Sequence, residues 1–253
     1  MLNRMILVCS FALLLFPSIA AADILYDNGP LVTHPGGGSG GADASALQTS
    51  SGMTIYGFGY LFINGWRIAD DFTVPGGGWD IGTIDFFGYQ TNATTGTSTF
   101  NGMYLQIWNG NPNDAGSSVV WGDLTTNILA SSIWSGIYRV LDTDLTNSAR
   151  PIFMNTVTVN TFLNPGTYWL DWMASGSLSS GPYAPPITIL GQTTTGNGIQ
   201  YTTTWAAALD GDDQQGFPFV INSAGQTAVP EPTSLLLLGT GLGALGFVIR
   251  RKK

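Results

Sequence analysis

The chain has 253 residues, room for one large or two small domains, and only 9% of them are charged, against about 25% in an ordinary globular chain. Eight Lys and Arg face sixteen Asp and Glu for a net charge of −8, and once both ends are set aside the only cations are Arg67, Arg139 and Arg150. So acidic a body repels a phosphate-rich partner, which excludes nucleic acid, and its near lack of Glu, Lys and Arg is unlike a helical protein.

Residues 1–22 read as a secretory signal. Arg4 gives a positive start, residues 5–16 are apolar, and Ala20-Ala21-Ala22 supplies small residues ahead of Asp23. The expected cleavage lies between Ala22 and Asp23. Cys9, the sole cysteine, falls inside that apolar run, so the body that remains has no thiol, disulfide or thiolate metal site.

Residues 23–222 form the body. A glycine loop follows His34, and no Lys-Ser/Thr or helix signal turns it into a phosphate loop. Residues 83–89, 103–108, 137–141, 152–159 and 168–172 are short runs of β-branched and aromatic residues. Side chains alternate faces along a strand, so Met103, Leu105 and Ile107 share one face, and Tyr104, Gln106 and Trp108 the other. Thr156-Val157-Thr158-Val159 alternates strictly, as suits a strand with one wet face. Tyr168, Leu170 and Trp172 align, with Asp171 opposed. Turn clusters separate the runs: Asp27-Asn28-Gly29-Pro30, Pro75-Gly76-Gly77-Gly78, Asn109-Gly110-Asn111-Pro112 and Asn164-Pro165-Gly166. Many short strands spaced by turns predict an all-β body, an antiparallel β-sandwich of jelly-roll-like form. Phe72-Thr73-Val74-Pro75-Gly76 and Phe162-Leu163-Asn164-Pro165-Gly166 echo each other, as one turn used twice.

Few constellations carry chemistry. His34 is the one histidine, and a serine nucleophile would need it, yet no Gly-x-Ser-x-Gly elbow exists. A glycosidase needs two carboxyls about 5–9.5 Å apart. Asp70 and Asp71 are strand neighbours that point to opposite faces, whereas Asp142 and Asp144 can share one. The acidic turn Asp210-Gly211-Asp212-Asp213 has the hard oxygens that calcium takes, which makes Asp210, Asp212 and Asp213 the candidate metal ligands without an EF-hand pattern. Structural calcium is the one cofactor for which the sequence offers ligands. Eight tryptophans are many for this length; most belong to the core, and an exposed pair would stack on sugar rings.

Residues 223–228 are a small, polar linker. The tail, 229–253, opens on Val229-Pro230-Glu231-Pro232, where two prolines hold an acid in extended backbone that a processing enzyme can grip. Residues 235–249 are apolar and make a short transmembrane helix when flanking residues contribute. Arg250, Arg251, Lys252 and Lys253 then form a cytoplasmic basic anchor by the positive-inside rule. In order and composition these parts resemble the PEP-CTERM family of sorting tails. The resemblance implies cleavage at the motif by exosortase, a membrane-embedded protease, and residence at a cell surface or in a matrix rich in extracellular polysaccharide. The body around residues 25–30 and 69–75 resembles domains that precede such tails, which implies a shared fold and no activity. The expected protein is exported, held transiently in the membrane, then displayed or released. Its expected role is structural or adhesive and not enzymatic. Carbohydrate binding is the first alternative and glycoside hydrolysis the second. Replacing Glu231 with Ala is expected to stop tail removal, read as an untrimmed C-terminus by mass measurement of the exported protein; normal trimming would overturn the assignment of the motif.

Overall fold

A strand with alternating apolar and polar side chains has one face that must leave water, and this chain meets that demand by stacking two sheets. The computed structural model describes residues 22–225. The signal segment before Ala22, the sorting motif, the apolar span and the basic anchor lie outside the described residues.

Sixteen strands and three 3-10 turns form the described residues, with no α-helix among them. The strands β1 (Ile24–Asp27), β2 (Asp43–Leu47), β3 (Phe58–Gly59), β4 (Arg67–Val74) and β5 (Trp79–Gly88) come first. Then come β6 (Phe100–Trp108), β7 (Val119–Asp123), β8 (Leu129–Leu141), β9 (Pro151–Leu163) and β10 (Gly166–Gly176). The last are β11 (Tyr183–Ala184), β12 (Ile199–Tyr201), β13 (Trp205–Ala207), β14 (Leu209–Asp210), β15 (Asp213–Gln214) and β16 (Phe219–Ser223). All five runs expected from the sequence lie on strands, in β5, β6, β8, β9 and β10.

One sheet has the order β1-β16-β5-β9-β8-β2 and the other β13-β12-β4-β10-β6-β7; β3 with β11, and β14 with β15, form small two-stranded pieces. Pairing is antiparallel except between β2 and β8, which run parallel from Asp43↔Ile137 to Leu47↔Leu141. A parallel pair needs a long crossover, and the chain from β3 to β7 supplies it. The echoed turns have a shared task. One carries β4 of the second sheet into β5 of the first, and the other returns β9 of the first into β10 of the second. Because β4 pairs with β10 and β5 with β9, the two turns lie at the same end, with Val74 opposite Gly166 and Trp79 opposite Leu163.

The inner faces of both sheets meet in one core. Ile68 and Phe72 of β4, Ile84 and Phe86 of β5, Met103, Leu105 and Ile107 of β6, and Val157 and Val159 of β9 are all buried there. Leu170 and Trp172 of β10 and Phe219 and Ile221 of β16 complete it. Trp172 is its largest member: its ring lies 4.7 Å from Phe86 and meets Phe217 and Phe219 edge-on at 6.0 and 6.1 Å. Its indole N–H is buried without a hydrogen-bond partner, so the tryptophan is held by packing alone.

The first and last strands pair with each other. Asp23 N–H donates to Ser223 Oγ at 2.9 Å and Ser223 N–H donates to the Asp23 carbonyl at 2.8 Å. The chain therefore enters and leaves the body at one place on one sheet edge. Trp172→Ala is expected to cost about 3–5 kcal/mol in urea unfolding, the range for deleting a large core aromatic. Trp172→Phe, which keeps a ring and removes the unpaired N–H, should cost less than half of that; equal losses would show that the indole N–H contributes a bond.

Candidate functional site: the outer face of the second sheet

Strand β10 lies fourth of six in its sheet, flanked by β4 and β6, and its two faces do different work. Leu170, Trp172 and Ala174 point into the core. Trp169, Asp171, Met173 and Ser175 take the outer face by the period of two. Cross-strand register then assembles a patch. Trp169 is opposite Trp108, Asp171 is opposite Gln106 on one side and Ala69 on the other, and Met173 is opposite Tyr104. On the far side of β4, Ile199 pairs with Ala69 and Tyr201 with Arg67, and Trp205 of β13 pairs with Tyr201. Trp169, Ala69 and Ile199 pack as a second small apolar cluster beneath Trp108 and Trp205.

Asp171 is fully buried in this patch, although alternation alone points it away from the core. Its Oδ2 accepts a hydrogen bond from Trp108 Nε1 at 3.3 Å. Its Oδ1 lies 3.2 Å from Arg67 Nε as an ion pair, without the alignment of a hydrogen bond. The Arg67 guanidinium sits 3.9 Å from the centre of the Tyr201 ring and 5.0 Å from that of Trp205, a cation stacked on aromatic faces. Burial pushes the Asp171 carboxyl up to about 7, with Arg67 and Trp108 pulling only partly the other way. The pair thus ties β4, β6, β10, β12 and β13 together through one charge contact and a set of rings. Half-buried Trp108, Tyr201 and Trp205 leave part of their rings at the surface.

This face continues into an open groove of about 630 Å³. The turn Phe62–Asn64 forms one side and the loop through Leu178 and Pro182 the other, with the end of β10 between them. Phe62 stacks on Tyr104 with ring centres 4.1 Å apart and planes at 17°. Ser175 Oγ donates to Asn101 Oδ1 at 2.6 Å.

The acids singled out from the sequence are placed as follows. Asp70 and Asp71 do point to opposite faces: Asp70 is buried inside, where it accepts bonds from the N–H of Phe217 (2.6 Å) and Asp71 (2.9 Å) and from Asn28 Nδ2 (3.0 Å). Burial pushes Asp70 too up to about 7. Asp142 accepts from Thr49 Oγ1, Ser50 N–H and Ser50 Oγ, bonds that hold its carboxyl well below the usual range, whereas Asp144 bonds Thr146 and Asn147 in its own turn. A carboxyl so held cannot act as a general acid near neutrality. His34 Nδ1 contacts Thr33 Oγ1 at 2.9 Å.

The acidic turn is not a gathered ligand set. Asp210 is buried and accepts from Thr54 N–H, Thr54 Oγ1 and Ile55 N–H at 2.8–3.0 Å, Asp213 accepts from Thr194 Oγ1, and Asp212 is exposed at the tip between β14 and β15. Among the described residues no group of three or more His, Cys, Asp or Glu side chains is placed to hold a metal ion. What Asp210 does instead involves Arg139, whose role the sequence reading missed. Arg139 is fully buried and donates to the carbonyls of Tyr56 (2.8 Å) and Ile55 (3.4 Å), to Ser45 Oγ and to Thr188 Oγ1. Segment 54–56 thus gives its N–H groups to an anion and its carbonyls to a cation. The signal was available: a lone arginine inside the apolar run 137–141, in a body with only three cations.

At the expected signal boundary, Ala22 and Asp23 are both exposed, just ahead of β1. Among the described residues no helix is long and apolar enough to cross a membrane. Outside them, residues 228–252 match the family model described as PEP-CTERM protein-sorting motif. Comparison with curated proteins and with solved structures gives no match. The described residues thus form an all-β body, and the chain carries a PEP-CTERM sorting motif after it. The chain is addressed for export, anchored in the membrane by its tail, and processed by exosortase.

A carboxyl with a pKa raised on folding makes the unfolded chain release its proton first, so stability is greatest at acid pH and falls as pH rises from 3.8 toward about 7. The thermal midpoint should drop between pH 5 and pH 8, and Asp171→Asn should drop less over the same interval. Parallel pH profiles for the two proteins would show that Asp171 is ionised in the fold throughout.

Proposed function

We propose that, outside the cell, the body acts as a non-catalytic structural or adhesive unit that holds to extracellular polysaccharide and needs no cofactor. The observation that carries this reading is the aromatic outer face of the second sheet. Rings of Trp108, Tyr201 and Trp205 are set in one surface by strand register, and Arg67, paired with the buried Asp171, lies against the rings of Tyr201 and Trp205. Aromatic faces stack on the apolar faces of sugar rings, and a preordered set loses little entropy on binding. A hydrolytic reading has less support, because Asp142 and Asp144 are each engaged in separate turns and Asp171 is sealed beneath Arg67. The sorting tail supports a role outside the cell, since it marks the chain for export and exosortase processing.

The test is the full exported protein mixed with soluble polysaccharide, with tryptophan emission and reducing ends followed together. Expected is a shift in emission that Trp205→Ala diminishes, with no reducing ends released. Release of reducing ends that falls in Asp142→Asn or Asp144→Asn would establish a glycosidase instead. Unchanged emission with every polymer would remove the adhesive role.

A further inference from the structure

We propose that the groove beside Phe62 is a binding site for a neutral oligosaccharide, an assignment that rests on the adhesive reading and narrows it to a place and a ligand class. Its volume, about 630 Å³, lies within the roughly 300–1,000 Å³ usual for sites of small ligands. One face of Phe62 is covered by Tyr104, yet 39% of Phe62 remains exposed, so the ring offers its other side to the groove. The turn that carries it is tied back by Gly65 N–H to the Phe62 carbonyl at 3.0 Å and by Trp66 N–H to the Leu61 carbonyl at 3.1 Å. The aromatic platform is thus held before any ligand arrives.

Polar groups stand beside the ring. Because Ser175 Oγ gives its hydrogen to Asn101 Oδ1, the Ser175 oxygen remains an acceptor, and Asn101 Nδ2 makes no hydrogen bond among the described residues. An acceptor and a free amide donor side by side are what a sugar hydroxyl, itself donor and acceptor, requires. Gly102 makes room for this pair: a Cβ there would lie 2.4 Å from Ser175 Oγ. The opposite wall is fixed by Gln90, fully buried, whose Nε2 donates to the carbonyls of Leu178 (2.8 Å) and Gly181 (3.3 Å). Gly176 lets Gln90 approach, since a Cβ there would meet its side-chain oxygen at 2.2 Å.

Charge selects the ligand class. No ionisable side chain lines the groove, and the body around it carries fifteen Asp against three Arg. A uronate or sulfated polymer would be repelled without a cation to receive it. A purely apolar ligand would strip water from Asn101 and Ser175 and return no hydrogen bonds. A pyranose has an apolar face for the ring and hydroxyls for the amide and serine.

The experiment uses the full chain in a zwitterionic detergent that lacks a sugar headgroup, run through native gels containing soluble β-glucan, galactomannan, dextran or alginate. At least one neutral polymer should retard the protein and alginate should not. Phe62→Ala and Asn101→Ala should each weaken that binding by about tenfold or more, the scale of one lost stacking or hydrogen-bonding contact in a preformed site. Asn101 is exposed, so its variant should keep the wild-type thermal midpoint even where Phe62→Ala lowers it. Full binding by Asn101→Ala together with loss in Trp205→Ala would overturn the groove and leave the adhesive reading standing. Retardation by alginate alone would overturn the neutral class. Failure of every polymer to bind would remove both.

Discussion

The middle of strand β10, residues 169–174, has no wet face, and the rest of the body is arranged around that constraint. A strand in a two-layer sandwich ordinarily gives one side to the core and the other to solvent. Here Leu170 and Trp172 fill the core while Trp169, Asp171 and Met173 are buried on the outside. Burying a carboxyl there is costly unless it finds partners, and the partners come from four other strands: Trp108 on β6, Arg67 on β4, and the rings of Tyr201 and Trp205 on β12 and β13 that carry the arginine. The outer hairpin of the sheet is thus attached through a charge contact as well as through backbone ladders.

The same device recurs on the other side of the molecule. Arg139 and Asp210 never touch directly, yet both close on segment 54–56, one through its carbonyls and one through its N–H groups. Of the three arginines in the body, Arg139 anchors from full burial, Arg67 from a partly buried position, and Arg150 lies 3.7 Å from the centre of the Tyr56 ring. A surface poor in cations and rich in aspartate follows directly. That surface suits a protein that meets uncharged polymers and stays apart from polyanions.

The join between β1 and β16 connects the fold with its address. The sorting motif lies beyond the last strand, and the body brings its own first and last strands together at one edge. The aromatic face proposed to bind polysaccharide belongs to the other sheet, so the edge where the chain enters and leaves the body does not form part of it.

Much was legible from local chemistry. Composition and alternation located five of the strands, sorted the side chains of β6 and β10 by face, and gave the wet face of β9, because backbone geometry reads side chains in steps of two. The tail declared itself by the order of its proline-bounded acid, apolar run and basic end. Tertiary structure alone decided what lies across from what. Asp171 points away from the core as its neighbours imply, but its burial depends on Arg67, about a hundred residues earlier, and on a hairpin beyond residue 198. Asp210 looked like a metal ligand because its neighbours are acidic; its carboxylate was claimed by Thr54 and Ile55, which no local pattern reveals. Spacing along a chain determines which face a side chain takes, whereas pairing across strands determines what it meets there, and the chemistry of a site is set by the second.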